Sequence, residues 1–167
     1  RENGGMVLST TINKYSYITL RYLPKIFDYN FRIRYFSTEE TQTLEEIKHP
    51  SVRECARALK VSEGFEMIHH GDLPSGTGMG SSSTFTVGML HALYSLTNYM
   101  PTKRELALKA LYVEQQAIGE SVGSQDQVAA AFGGFNRIQF GGEREFEVDP
   151  IILGKERLVE LESKLLL

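Results

Sequence analysis

Residues 74–84 read Pro-Ser-Gly-Thr-Gly-Met-Gly-Ser-Ser-Ser-Thr, with glycines alternating at Gly76, Gly78 and Gly80 ahead of Ser81, Ser82, Ser83 and Thr84. Glycine lacks a Cβ, so successive backbone N–H groups can turn toward one point and a ligand can come close. An apolar run from Phe85 to Tyr94 follows and reads as a helix. The first N–H groups of such a helix have no internal acceptor and lie at the positive end of its dipole. The combination is an anion cradle suited to phosphate. Serine hydroxyls beside it add oxygen ligands for a phosphate or for magnesium. A Gly/Ser linker would not run from a proline-led turn straight into a long apolar helix.

Two familiar phosphate loops do not fit. The Walker pattern ends in Gly-Lys-Ser/Thr, and no lysine lies between Lys60 and Lys103. The dinucleotide pattern needs Gly-x-Gly-x-x-Gly, whereas the glycines here are spaced by one residue and followed by serines. A second concentration of polar groups lies in residues 112–134. Glu114 sits in a helical stretch, Gly119 and Gly123 follow, and then comes Ser124-Gln125-Asp126-Gln127. Taken singly, Glu114 reads as a surface helix glutamate and Asp126 as the N-cap of the next helix.

Together the two blocks resemble the GHMP superfamily of small-molecule kinases, whose loop reads Pro-x-x-x-Gly-Leu-Gly-Ser-Ser-Ala. Met79 stands at the leucine and Ser83 at the alanine. Galactokinase-like members carry a helical glutamate and then a glycine-containing loop with Asp-Gln, and the twelve positions from Glu114 to Asp126 suit that arrangement. The resemblance covers residues 64–140 specifically. Its wording from Gly123 to Asn136 is most similar to the D-glycero-D-manno-heptose 7-phosphate kinase branch.

The resemblance implies ATP held by Pro74, Gly76, Thr77, Gly78, Met79, Gly80, Ser81, Ser82 and Ser83. It implies magnesium held by Glu114 and one of two serines, Ser82 in preference to Ser81 by position in the motif. Asp126 would be the catalytic group, accepting a hydrogen bond from the attacking hydroxyl as base or as orienting anion. Ser124 and Gln127 would touch the substrate or brace the loop. The implied activity is ATP-dependent phosphorylation of a sugar or sugar phosphate, at the anomeric hydroxyl of the heptose phosphate. A fucokinase-like or galactokinase-like sugar kinase is the nearest alternative, and a non-catalytic nucleotide and sugar sensor is the alternative of another class.

The elements that must position these groups follow from pattern. Met6–Ile12 and Tyr15–Leu20 are β-branched and aromatic and read as strands, with Asn13-Lys14 as a short turn between them. Phe31, Ile33 and Tyr35 alternate with Arg32, Arg34 and Phe36, a half-buried strand whose arginines read as a solvated face. Residues 39–50 read as a loop or short surface helix. Ser51 with Glu54 reads as a capping box for a helix to Lys60, and Thr102 with Glu105 as one for a helix to Ile118. Phe65–His70 reads as the strand into the cradle and Ser81–Thr97 as a buried helix with His91 packed inside it. Asp126–Phe132 reads as a short helix, Phe135–Phe140 and Phe146–Val148 as strands, and Lys155–Leu167 as a helix. His69-His70 has no third histidine or cysteine nearby to make a metal site.

The expected class is α+β: a mixed sheet with helices packed on one face. The resemblance implies the superfamily's N-terminal domain, similar to the second domain of ribosomal protein S5. It assigns residues 1–150 to that ATP-binding domain without its first strand, and 151–167 to the start of a truncated C-terminal region. On this reading the chain is a fragment with little turnover of its own. The positive partner that the family places near the aspartate is missing, since Arg1 comes too late in the pattern.

Composition narrows the partners. A net charge of −3 gives no electrostatic footprint for nucleic acid. The single cysteine, Cys55, excludes an internal disulfide and suits a reducing cytoplasm, the expected location. No stretch approaches about 18 apolar residues, so no membrane span is expected. Oligomeric state is not legible.

Overall fold

A computed structural model describes residues 4–74, 78–141 and 145–165. Along the chain these form β1 (Gly5–Thr10), β2 (Ser16–Tyr22), β3 (Phe31–Arg34), β4 (Thr38–Thr41), α1 (Pro50–Ala58), β5 (Phe65–Gly71) and α2 (Ser81–Leu96). There follow α3 (Lys103–Tyr112), a π-helical turn (Val113–Ile118), α4 (Gln125–Phe132), β6 (Phe135–Phe140), β7 (Phe146–Pro150) and α5 (Lys155–Glu162). The architecture is α+β, as expected, but the strands divide between two sheets. The chain likewise separates into two compact units, residues 12–132 and residues 1–11 with 133–167.

The larger unit holds a mixed sheet of order β2-β5-β3-β4, in which β3 runs parallel to β5 and the other pairs are antiparallel. Strand alternation sorts its two faces. Ile18, Leu20, Phe31, Ile33, Phe65 and Met67 enter the core, where they meet Val52, Cys55 and Ala56 of α1 and Phe85, Met89, Leu90 and Leu93 of α2. Gly88 lets α2 lie close to β2, since a Cβ there would stand 3.1 Å from Ile18 Cδ1. The opposite face carries Arg21, Glu66 and Arg32 in one cross-strand row. Glu66 receives Arg21 at 2.6 Å and Arg32 at 3.1 Å, with Arg34 at 3.9 Å. Arg32 also lies over the rings of Phe27 and Tyr29. It is therefore not the solvated strand residue expected from alternation, because a buried carboxylate on the neighbouring strand claims it.

Other expectations also change. Asn13-Lys14 does not close a hairpin, for β1 pairs with β6 and β2 with β5. The segment read as loop or surface helix contains β4, and its Glu39 is buried. Glu39 accepts from the backbone N–H of Lys48 at 2.5 Å and of His49 at 3.1 Å, and from the Tyr35 hydroxyl at 2.8 Å. The start of α1 is thus served by a carboxylate from another strand, favourable at the positive end of the helix dipole. The Ser51–Glu54 capping box does not form. Pro50 fits the first turn, the N-cap is His49, and Ser51 lies inside the helix. Glu54 instead pairs with Arg53 and Arg57. His91 is exposed rather than packed, because α2 turns one flank outward there. The Thr102–Glu105 box does form.

The smaller unit is an antiparallel sheet of order β1-β6-β7 with α5. Ile138 and Phe146 are its buried apolar side chains, and α5 buries no residue.

Candidate active site

α2 begins on Gly80, whose φ of +68° and ψ of +24° are left-handed. Glycine adopts that conformation without the strain a side chain would bring. The N–H of Thr84 closes on the Gly80 carbonyl at 2.9 Å, so the N–H groups of Ser81, Ser82 and Ser83 are the first-turn donors without a backbone acceptor among the described residues. No acidic residue lies in that first turn to compete with an anion. A cleft of about 280 Å³ opens here, lined by Gly78, Gly80, Ser81, Ser82 and Ser83 on one side and by Val122, Gly123, Gln125, Asp126 and Gln127 on the other.

Asp126 stands one residue inside α4, not at its N-cap. Its carboxylate crosses the cleft toward the cradle: a Cβ on Gly80 would lie 3.3 Å from Asp126 Cγ and 3.4 Å from Oδ2. The side chain is exposed, and among the described residues no hydrogen bond or ion pair restrains it.

Glu114 lies one layer deeper, in the π-helical turn that ends the α3 segment. It is 1% exposed and does not itself line the cleft. Ser83 donates to its Oε2 at 2.9 Å, and the Gln127 amide donates to the same oxygen. Its Oε1 is buried and has no partner among the described residues. Next to it, the Cys55 thiol is pushed well above its ordinary pKa, first by burial and then by the negative charges of Glu114 and Glu54. That thiol is a packed side chain of the core, bonded weakly to the Thr86 carbonyl.

The structure thus gathers Gly78, Gly80, Ser81, Ser82, Ser83, Asp126 and Gln127 around one cleft, with Glu114 behind its wall. Pro74 and Met79 are exposed and lie outside the lining, and Gly76 and Thr77 fall outside the described residues. Ser82 is exposed at the cleft, whereas it is Ser83 that reaches Glu114. Ser124 is tied to the Gln115 amide at 3.2 Å, which also holds the carbonyls of Val122 and Gly123. Gln115 is the brace that sequence reading missed, since a glutamine on a helix gives no signal. Gly123 could have been found, because a loop glycine beside Asp-Gln permits close approach.

A family model described as GHMP kinases N terminal domain matches residues 47–134, a span containing both sides of the cleft. The chain belongs to the GHMP kinases. It is 33% identical to D-glycero-alpha-D-manno-heptose 7-phosphate kinase of Campylobacter jejuni over 98% of its own length and 51% of that protein. It is 30% identical to the galactokinase of Pyrococcus furiosus, covering 81% of this chain and 40% of that one. Among solved structures, a D-glycero-D-manno-heptose 1-phosphate kinase from Bacteroides thetaiotaomicron superposes with a TM-score of 0.85 at 27% identity, over 96% of this chain and 56% of that one. The chain thus spans about half the length of the heptose phosphate kinase it matches.

Proposed function

We propose that this chain is the nucleotide-binding part of an ATP- and magnesium-dependent sugar kinase whose acceptor is the anomeric hydroxyl of D-glycero-D-manno-heptose 7-phosphate. The observation that carries the reading is the approach of the Asp126 carboxylate to Gly80 across the cleft. An acceptor hydroxyl beside Asp126 and a phosphate on the α2 N-terminus would then be neighbours. The choice of sugar rests on the relatives that are heptose phosphate kinases.

In this mechanism the first-turn N–H groups of α2 and the loop glycines hold the nucleotide phosphates. Asp126 accepts a hydrogen bond from the sugar hydroxyl and orients its oxygen toward the γ-phosphorus. The new bond forms between that oxygen and phosphorus, the bond to the bridging oxygen of ADP breaks, and the hydroxyl proton passes to Asp126 or to water. The donor set fits magnesium: the hydroxyl of Ser82 at the cleft, and behind the wall a carboxylate, Glu114, with one buried oxygen that has no partner among the described residues. When bound, the cation would neutralise charge on the phosphate oxygens. Glu114 and Ser82 are the residues that would hold it. Localisation in the cytoplasm belongs to the same proposal. Among the described residues no helix is long and apolar enough to cross a membrane.

The test is an ADP-release assay on the full-length protein with a panel of sugars and sugar phosphates. The heptose 7-phosphate is expected to give the highest kcat/KM. Preference for galactose or fucose would replace the substrate, and nucleotide binding without ADP release on any sugar would mark a sensor.

A further inference from the structure

Three elements converge on one oxygen of Glu114. Ser83 comes from the first turn of α2, Glu114 from the π-helical turn, and Gln127 from α4. Both donors choose Oε2, and Oε1 is left buried with no partner among the described residues. Such asymmetry is costly, because a carboxylate oxygen removed from water without a donor or cation loses its solvation uncompensated. The amide of Gln127 has only one sensible orientation here, since its oxygen cannot face a carboxylate oxygen. That orientation leaves Gln127 Oε1 buried and without a partner among the described residues as well. A side chain kept for packing would not need two donors on one oxygen and none on the other. The π-helical turn adds to this: π-turns are rare and concentrate at functional sites.

We infer that Ser83 and Gln127 are positioning residues, which pin Oε2 of Glu114 so that Oε1 remains for the divalent cation accompanying the nucleotide. The inference rests on the proposed role of Glu114 and deepens it. Ser83 and Gln127 both line the cleft while Glu114 does not. They are therefore the wall through which the carboxylate is fixed. Ser83 stands at the alanine of the superfamily's loop, so this hydroxyl is a feature of the chain itself.

The experiment uses the full-length protein with Mn2+ as probe. Mn2+ affinity is read by electron paramagnetic resonance in the presence of a non-hydrolysable ATP analogue, and analogue affinity is read separately in EDTA. Ser83→Ala and Gln127→Met are each expected to weaken Mn2+ binding roughly tenfold, the scale for groups that orient a metal ligand. Analogue affinity in EDTA should change less than about twofold, and Ser83→Thr, which keeps the hydroxyl, should restore Mn2+ binding. Thermal melting checks each fold, and the two sites report independently if one variant does not fold. Glu114→Gln separates the two levels of the argument. If it leaves Mn2+ binding unchanged, Glu114 is no ligand and the underlying reading fails. If it weakens Mn2+ while neither Ser83→Ala nor Gln127→Met does, the positioning roles are overturned. They are also overturned if those two variants lose analogue affinity in EDTA as strongly as Mn2+ affinity, for they would then be cradle residues.

Discussion

Asp126 and Gly78 carry the most direct tests at the scale of single residues. The Asp126 side chain is exposed and among the described residues makes no bond that would hold α4 together, so replacing it should cost little stability. Asp126→Asn keeps shape and removes charge. It is expected to leave ATP binding nearly intact and to lower kcat by roughly a hundredfold or more, the scale for a positioned acid–base group. A structural role would give the reverse, with stability falling and kcat preserved. Gly78 has a φ of +72° and open space where a Cβ would stand. A Cβ there would meet no described atom within 4 Å, but valine would resist the left-handed backbone and fill the room proposed for phosphate. Gly78→Val should therefore abolish ATP binding, measured by calorimetry, and unchanged affinity in a folded variant would remove the loop from the nucleotide site.

At the scale of elements, what could be read in advance was whatever depends on near neighbours. The Thr102–Glu105 box formed because both partners lie within one turn, with Glu105 also accepting from the Tyr99 hydroxyl. The start of α1 was misplaced because its acceptor, Glu39, lies ten positions away from His49 on a strand whose polar sequence hid it. The site divides the same way. The cradle and the Asp-Gln loop were visible as local wording, whereas the Ser83–Glu114–Gln127 cluster depends on three elements meeting. The two helix starts should respond differently to mutation. Thr102→Ala is expected to cost about 1 kcal/mol, the usual loss of a side-chain cap. Glu39→Ala strands three donors at once and should cost about 3 kcal/mol. Urea unfolding of both variants measures the order, and equal losses would mean that water replaces Glu39 freely.

Across the whole molecule, sequence pattern marked most of the strands, β4 excepted, but not which strands would pair. β2 could have turned back on β1, and nothing local forbids it. What selects β5 is a match across both faces: Leu20 meets Met67 in the core while Arg21 meets Glu66 outside it. The same outer row, with two half-buried histidines, sets how acid should affect the larger unit. His49 packs its ring between Tyr35 and Phe85. Burial holds its pKa below the ordinary 6.5, Glu39 draws it back upward, and His69 pushes it down. His69, bonded to Ser16 and set against Phe85, is lowered by burial and then by His70. Glu66 is pushed up by burial but brought below the ordinary 4.5 by Arg21 and Arg32. In all three the folded pKa lies under the unfolded one, so the unfolded chain binds more protons on the acid side. The histidine contribution is complete above pH 6.5 and drains as pH falls through their lowered values. The Glu66 contribution is complete above pH 4.5 and drains below it. The melting temperature should therefore fall in two stages, one beginning near pH 6.5 and one below pH 4.5. His49→Phe keeps an aromatic ring in the stack and removes the proton site. It should shrink the first stage and leave the second as it was, and a first stage of undiminished size would show that His49 is not what acid attacks.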